Sequence, residues 1–109
     1  MKKSEIKFVV ELDKENIPEK IMWDADEKGQ PGLSETKSIS LNLWDHENKN
    51  TMRIDLWSKD MPMDEMKHFY IDCLGGLAQS VLNATGDEYM NQEISTLCDK
   101  LVEHVKNEG

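Results

Sequence analysis

The sequence predicts an α+β fold, a four-stranded antiparallel sheet followed by two amphipathic helices packed on one of its faces. Three observations carry this. In the first half of the chain apolar residues alternate with polar ones; after Pro62 they recur every three or four residues; and every strand-like segment precedes every helix-like one. Strands first and helices second predict an antiparallel sheet with one covered face. A chain of 109 residues has the usual size of one domain and needs no metal or disulfide to hold a core, so residues 1–109 are read as a single domain.

Ile6, Phe8, Val10 and Leu12 alternate with Glu5, Lys7 and Glu11 and mark the first strand. Asp13-Lys14-Glu15-Asn16 reads as a turn, and Pro18 can open but not continue a central ladder, so a short second strand spans Lys20 to Trp23. From Asp24 to Lys37 the chain is polar and interrupted by Gly29, Pro31 and Gly32, which predicts a mobile loop of about a dozen residues. Ile39, Leu41 and Leu43, then Met52, Ile54 and Leu56, predict strands three and four, joined as a hairpin through Asp45 to Asn50.

The change of period begins a long helix near Pro62, with Met66, Phe69, Tyr70, Cys73, Leu74, Leu77, Val81 and Leu82 at helical spacing. Proline is tolerated in a first turn, and Asp64 and Glu65 complement the positive end of the helix dipole. Gly75-Gly76 interrupts the pattern and is read as a point of close approach by the sheet or the second helix. Gly86 suits a left-handed helix end and Asp87 suits a cap; a second helix carrying Met90, Ile94, Leu97, Cys98, Leu101, Val102 and Val105 runs to about Lys106.

Composition excludes several functions. The formal net charge of −9 repels phosphate backbones and anionic headgroups, so nucleic acid and bare membrane are not expected partners. No run approaches the roughly 18 apolar residues of a membrane-spanning helix, and Glu5, Lys7 and Glu11 interrupt any secretion-signal core after Lys2 and Lys3, which predicts a cytoplasmic protein. Cys73 and Cys98 stand far apart inside helical patterns, as small apolar residues do in a reducing compartment, and neither has zinc-ligand spacing.

No motif carries catalysis. GxxxxGK[ST], GxGxxG and GxSxG are all absent from the sequence, and no cofactor is expected. His46, His68 and His104 lie in a hairpin turn and on two helices, each without a second His or a Cys at ligand spacing. The carboxylates alternate with basic residues as on solvated faces, and no acid and base pair stands out. Asp24, Asp26, Gly29 and Glu35 occupy positions one, three, six and twelve of an EF-hand calcium loop. Position five, however, is Lys28, Pro31 stiffens the segment, and strands rather than helices flank it; an acidic solvated loop accounts for the same residues, and no metal is expected.

The tryptophans are the feature that points to a function. If the apolar residues of strands three and four face the helices, Trp44 and Trp57 point the other way, onto an uncovered face. Exposed aromatics on a small protein mark a partner surface; the alternative is that each indole folds over a loop or helix end. Met22 joins this candidate surface from a neighbouring strand, whereas Trp23 shares the face of Ile21 and is assigned to the core.

Ser4-Glu5-Ile6-Lys7-Phe8, Ile17 to Ile21, Leu43-Trp44-Asp45-His46 and above all the block from Ile54 to Lys67 resemble the gliding motility protein GldC family. Neither strand nor helix propensity demands the order of that last block. The resemblance implies a role supporting surface gliding in Bacteroidetes-type bacteria, with no enzymatic activity and no catalytic residue to transfer. Two readings follow: an adaptor that binds a protein component of the gliding or secretion machinery, or an export chaperone with the strands-then-helices order of SecB, its seven methionines adapting to unfolded clients. An uncovered sheet face and open edges also leave room for a homo-oligomer.

Overall fold

The computed structural model describes residues 2–108, which fall into two compact units, residues 2–61 and 62–108. The first contains β1 (Ile6–Leu12), β2 (Pro18–Ala25), β3 (Ser34–Thr36), β4 (Ser38–Asp45) and β5 (Asn50–Trp57). The second contains α1 (Met63–Thr85) and α2 (Glu88–Asn107). The class is α+β as predicted, but the antiparallel strands number five and form two sheets, ordered β1-β2-β3 and β4-β5. The additional strand lies inside the expected loop. There β2 continues to Ala25, and the returning chain pairs Ser34 with Trp23, Glu35 with Met22 and Thr36 with Ile21. Ser34-Glu35-Thr36 has no apolar alternation, so only its backbone pairing reveals a strand.

In the three-stranded sheet, Ile6, Phe8 and Val10 share a face with their partners Ala25, Trp23 and Ile21. Lys7, Val9 and Glu11 share the other with Asp24, Met22 and Lys20. Because β2 is central, Ile21 has a neighbour on both sides, Val10 and Thr36, and its exposure is 0%. The predicted turn after β1 closes on Asp13, whose Oδ1 accepts from the Glu15 and Ile17 N–H groups at 2.8 and 3.1 Å while Asn16 takes the left-handed conformation at φ 64°. The β4-β5 hairpin turns in the same manner: Asp45 Oδ2 accepts from Asn48 N–H at 2.7 Å, and Lys49 lies at φ 57°.

The segment after β5 ties the first unit together. Ser58 N–H donates to Lys37 O at 2.9 Å and Lys59 N–H to Pro18 O at 3.0 Å. The Lys59 ammonium reaches Asp13 at 3.1 Å and Glu19 at 3.6 Å, and Asp60 accepts from Lys37 and from Ser58 Oγ, both at 2.7 Å. Ser58 is 2% exposed. The Ile17 and Glu15 N–H groups, with Lys59, hold the Asp13 carboxyl below its usual range, and Lys37, then Ser58, do the same for Asp60. Within the family-like block from Ile54 to Lys67, the Ser58-Lys59-Asp60 segment is thereby explained: its residues join turns and strands distant in sequence.

In the second unit Pro62 precedes the first turn of α1, and Asp64 and Glu65 occupy that turn. The helix ends at Gly86, whose φ of 74° admits glycine without strain and whose N–H donates to Leu82 O at 2.9 Å. Asp87 caps α2 by accepting from Met90 N–H at 2.9 Å. The helices run antiparallel, with Lys67 on Glu108 at 2.8 Å near one end and Asn91 Nδ2 donating to Ala78 O at 2.9 Å near the other. Ala78 is buried, and Cys98 Sγ lies 4.0 Å from Ile71 O.

The glycine pair departs from expectation. A Cβ built on Gly75 or Gly76 meets no atom of α2 within 4 Å, so close approach of the second helix is not what the pair serves. Both sit within a continuous helix, where each costs about 1 kcal/mol relative to alanine. Gly75→Ala and Gly76→Ala are therefore expected to raise stability by up to about 1 kcal/mol each, measured as a higher urea midpoint. A lowered midpoint would show that the pair has a packing role.

Candidate partner-binding surface

The register of the β4-β5 hairpin defines two chemically different faces. On one, Ile39, Leu41 and Leu43 stand opposite Leu56, Ile54 and Met52. On the other, Ser38 is opposite Trp57, Ser40 opposite Asp55, Asn42 opposite Arg53 and Trp44 opposite Thr51. Trp44 and Trp57 therefore share a face, opposite to the apolar one, as the alternation predicts. Both are exposed, Trp44 at 66% and Trp57 at 49%.

They occupy opposite ends of that face and different strands. Six residues of ladder separate them, roughly 20 Å at about 3.3 Å per residue. The space between holds a polar network: Arg53 donates to Asn42 Oδ1 at 2.7 Å and to both Asp55 oxygens at 3.0 and 3.1 Å, and Ser40 Oγ donates to Asp55 at 2.9 Å. Beside Trp57 a pocket of about 250 Å³ is lined by Ile17, Pro18, Asp55, Leu56 and Trp57. The surface thus presents two separate exposed indoles flanking a formally neutral, hydrogen-bonded charge pair.

Met22 lies in the other sheet, half-buried between Val9 and Glu35. The sequence placed it on a strand neighbouring the tryptophans; the extra strand β3 puts it in a different sheet. Trp23 shares the Ile21 face and is half-buried, with the Lys28 ammonium 4.9 Å from its ring centroid.

Lys28 also explains the calcium-like spacing. Its side chain is 7% exposed, and its ammonium donates to Gly32 O, to Ser34 Oγ at 2.8 Å and to Trp23 O at 3.4 Å, with Asp24 at 3.7 Å. The positive charge at the centre of this loop is covalently part of the chain. Asp26 instead accepts from Glu5 N–H at 2.9 Å, and Glu35 lies 3.6 Å from Lys37. Among the described residues, no group of three or more His, Cys, Asp or Glu is arranged to hold a metal ion. Sequence reasoning noted Lys28 as a misplaced ligand but not as the loop's staple, and it missed the Lys59 and Asp60 ties altogether; neither has a local sequence signal.

The fold and this surface define a small α+β protein with an aromatic β-ribbon face. Residues 18–107 match the family model for gliding motility-associated protein GldC-like. The chain belongs to that family. The matched region starts at Pro18 and extends to the last residue of α2, so it leaves out β1 and takes in both helices. No curated protein and no solved structure matches the chain. Among the described residues, no helix is long and apolar enough to cross a membrane.

Proposed function

We propose that the chain is a non-enzymatic accessory protein of bacterial gliding, acting in the cytoplasm as an adaptor that binds a protein component of the gliding or associated secretion machinery. The observation that carries this reading is the pair of exposed indoles, Trp44 and Trp57, on one ribbon face in a member of a motility-associated family. Tryptophan is enriched among residues that dominate protein interfaces, because it offers a large rigid apolar surface and one hydrogen-bond donor.

The test is crosslinked capture of the tagged protein from its native cells beside a Trp44→Ala/Trp57→Ala variant, with motility scored in parallel. Two interface anchors each worth about 2 kcal/mol, at tenfold per 1.4 kcal/mol, predict that recovery of the partner falls by more than an order of magnitude. Unchanged capture and unchanged motility would remove this surface from the function. A broad set of exported precursors in place of one defined component would favour the chaperone reading, which draws on exposed methionines at positions 52, 63 and 90.

A further inference from the structure

We propose that the Trp44 and Trp57 face of the β4-β5 ribbon pairs face to face with a second copy of this chain, about a two-fold axis that crosses both strands at Leu41 and Ile54. The pairing register carries the inference. Each end of the face has one indole opposite one small residue, Trp57 with Ser38 and Trp44 with Thr51, and the two indoles belong to different strands. Leu41 and Ile54 pair at the midpoint and point to the other face. A half turn there lays each strand, reversed, over its own copy. Trp44 of the second copy comes over Ser38 and beside Trp57 of the first, while Thr51 of the second copy comes over Trp57; the same meeting occurs at the other end. Large residues thus meet small ones and the indoles pair side by side, as an isologous interface requires.

Charge favours a second copy over a charged partner. The same half turn sets Arg53 over Asp55 of the second copy and Asp55 over its Arg53, so the ion pairs are complementary in both directions. The chain as a whole carries −9, which disfavours self-association over most surfaces. On this face Arg53 and Asp55 sum to zero, so neither a second copy nor any neutral surface is repelled. A basic partner would find no net negative charge to hold it. With eight residues on each of two strands, the face is roughly 26 Å long at about 3.3 Å per residue. It is smaller than the roughly 800 Å² per partner of a standard stable interface, so the dimer forms in a concentration-dependent equilibrium. The inference goes beyond the adaptor reading and shares its surface: the second copy shields the indoles, and a machinery partner must displace it.

Sedimentation velocity over a concentration series tests the pairing. The wild type should shift from one chain to two as concentration rises, while Arg53→Asp alone and Asp55→Arg alone should stay at one chain. Mixing those two variants in equal amounts should restore the two-chain species, and so should placing both changes in a single chain, since each arrangement again sets unlike charges opposite. A wild type that stays at one chain throughout, single variants as dimeric as the wild type, or folded variants that neither mixture nor combination restores would each overturn the proposal. Should the charge variants lose the wild-type circular dichroism spectrum, Trp44→Ala replaces them, and a Trp44→Ala protein as dimeric as the wild type overturns it equally. Partner capture by folded Arg53→Asp protein is read beside the mass: the adaptor reading needs only the indoles, which this variant keeps, so failure of one proposal is separable from failure of the other.

Discussion

Replacing Ile21 with alanine is expected to cost the β-sheet unit about 2–5 kcal/mol, the range for removing a large aliphatic side chain from a packed site. Ile21 is fully buried at the middle of β2, between Val10 and Thr36 on the adjoining strands. Loss of its side chain removes apolar contacts to both sides, and a central strand has little freedom to collapse into the space. The measurement is a urea titration by circular dichroism, with Ile6→Ala as the comparison. Ile6 occupies an end of β1 and is 70% exposed, so its truncation should fall within about 0.5 kcal/mol of the wild type. Equal losses at the two positions would mean that Ile21 is not the packing centre of this sheet.

Lys28→Met is expected to be the next most damaging change, costing about 1–3 kcal/mol, the range for losing part-buried hydrogen bonds to a charged donor. Methionine keeps most of the length and apolar bulk of the side chain, so the variant isolates the ammonium. Without it, Gly32 O, Ser34 Oγ and Trp23 O lose a charged donor, and the Asp24 carboxylate loses its nearby cation. The loop over residues 26–33 should then open, and its limited proteolysis should accelerate while cleavage in α1 and α2 stays slow. An unchanged proteolysis rate would show that the strand pairing of β2 with β3 holds the loop unaided. Calcium should rescue neither wild type nor variant, because Asp26 is committed to Glu5 N–H and Glu35 neighbours Lys37.

The two positions differ instructively. Ile21 opens a run of three apolar residues, Ile21-Met22-Trp23, so a buried side chain in this short strand is expected from the sequence, and the pairing on both sides selects Ile21 as the most buried of the three. Lys28 sits in a polar, glycine-containing stretch, where a lysine ordinarily signals solvent. Its burial arises because β2 and β3 bring Trp23, Asp24, Gly32 and Ser34 around one point. The functional surface divides in the same way. Alternation alone places Trp44 and Trp57 on a common face, but their separation and the Arg53 and Asp55 pair between them follow from the hairpin register. Met22 could not be placed from its own strand, since the sheet to which β2 belongs is decided by its partners.

The features readable along the chain are local: a period of two in β1, β4 and β5, a period near 3.6 after Pro62, the Asp13 and Asp45 turns, the Gly86 helix end and the Asp87 cap. Each depends on side-chain direction or on hydrogen bonds spanning a few residues, so each is legible from neighbours along the chain. The division into two sheets, strand β3, the Lys28 staple and the ties from Ser58, Lys59 and Asp60 to Lys37, Pro18 and Asp13 depend on contacts made only once the chain has folded. Backbone hydrogen-bonding groups are the same at every non-proline residue, and charged side chains pair with whatever the fold brings near. Asp13 and Lys59 stand 46 positions apart and meet at 3.1 Å, and no periodicity in the sequence encodes such a meeting.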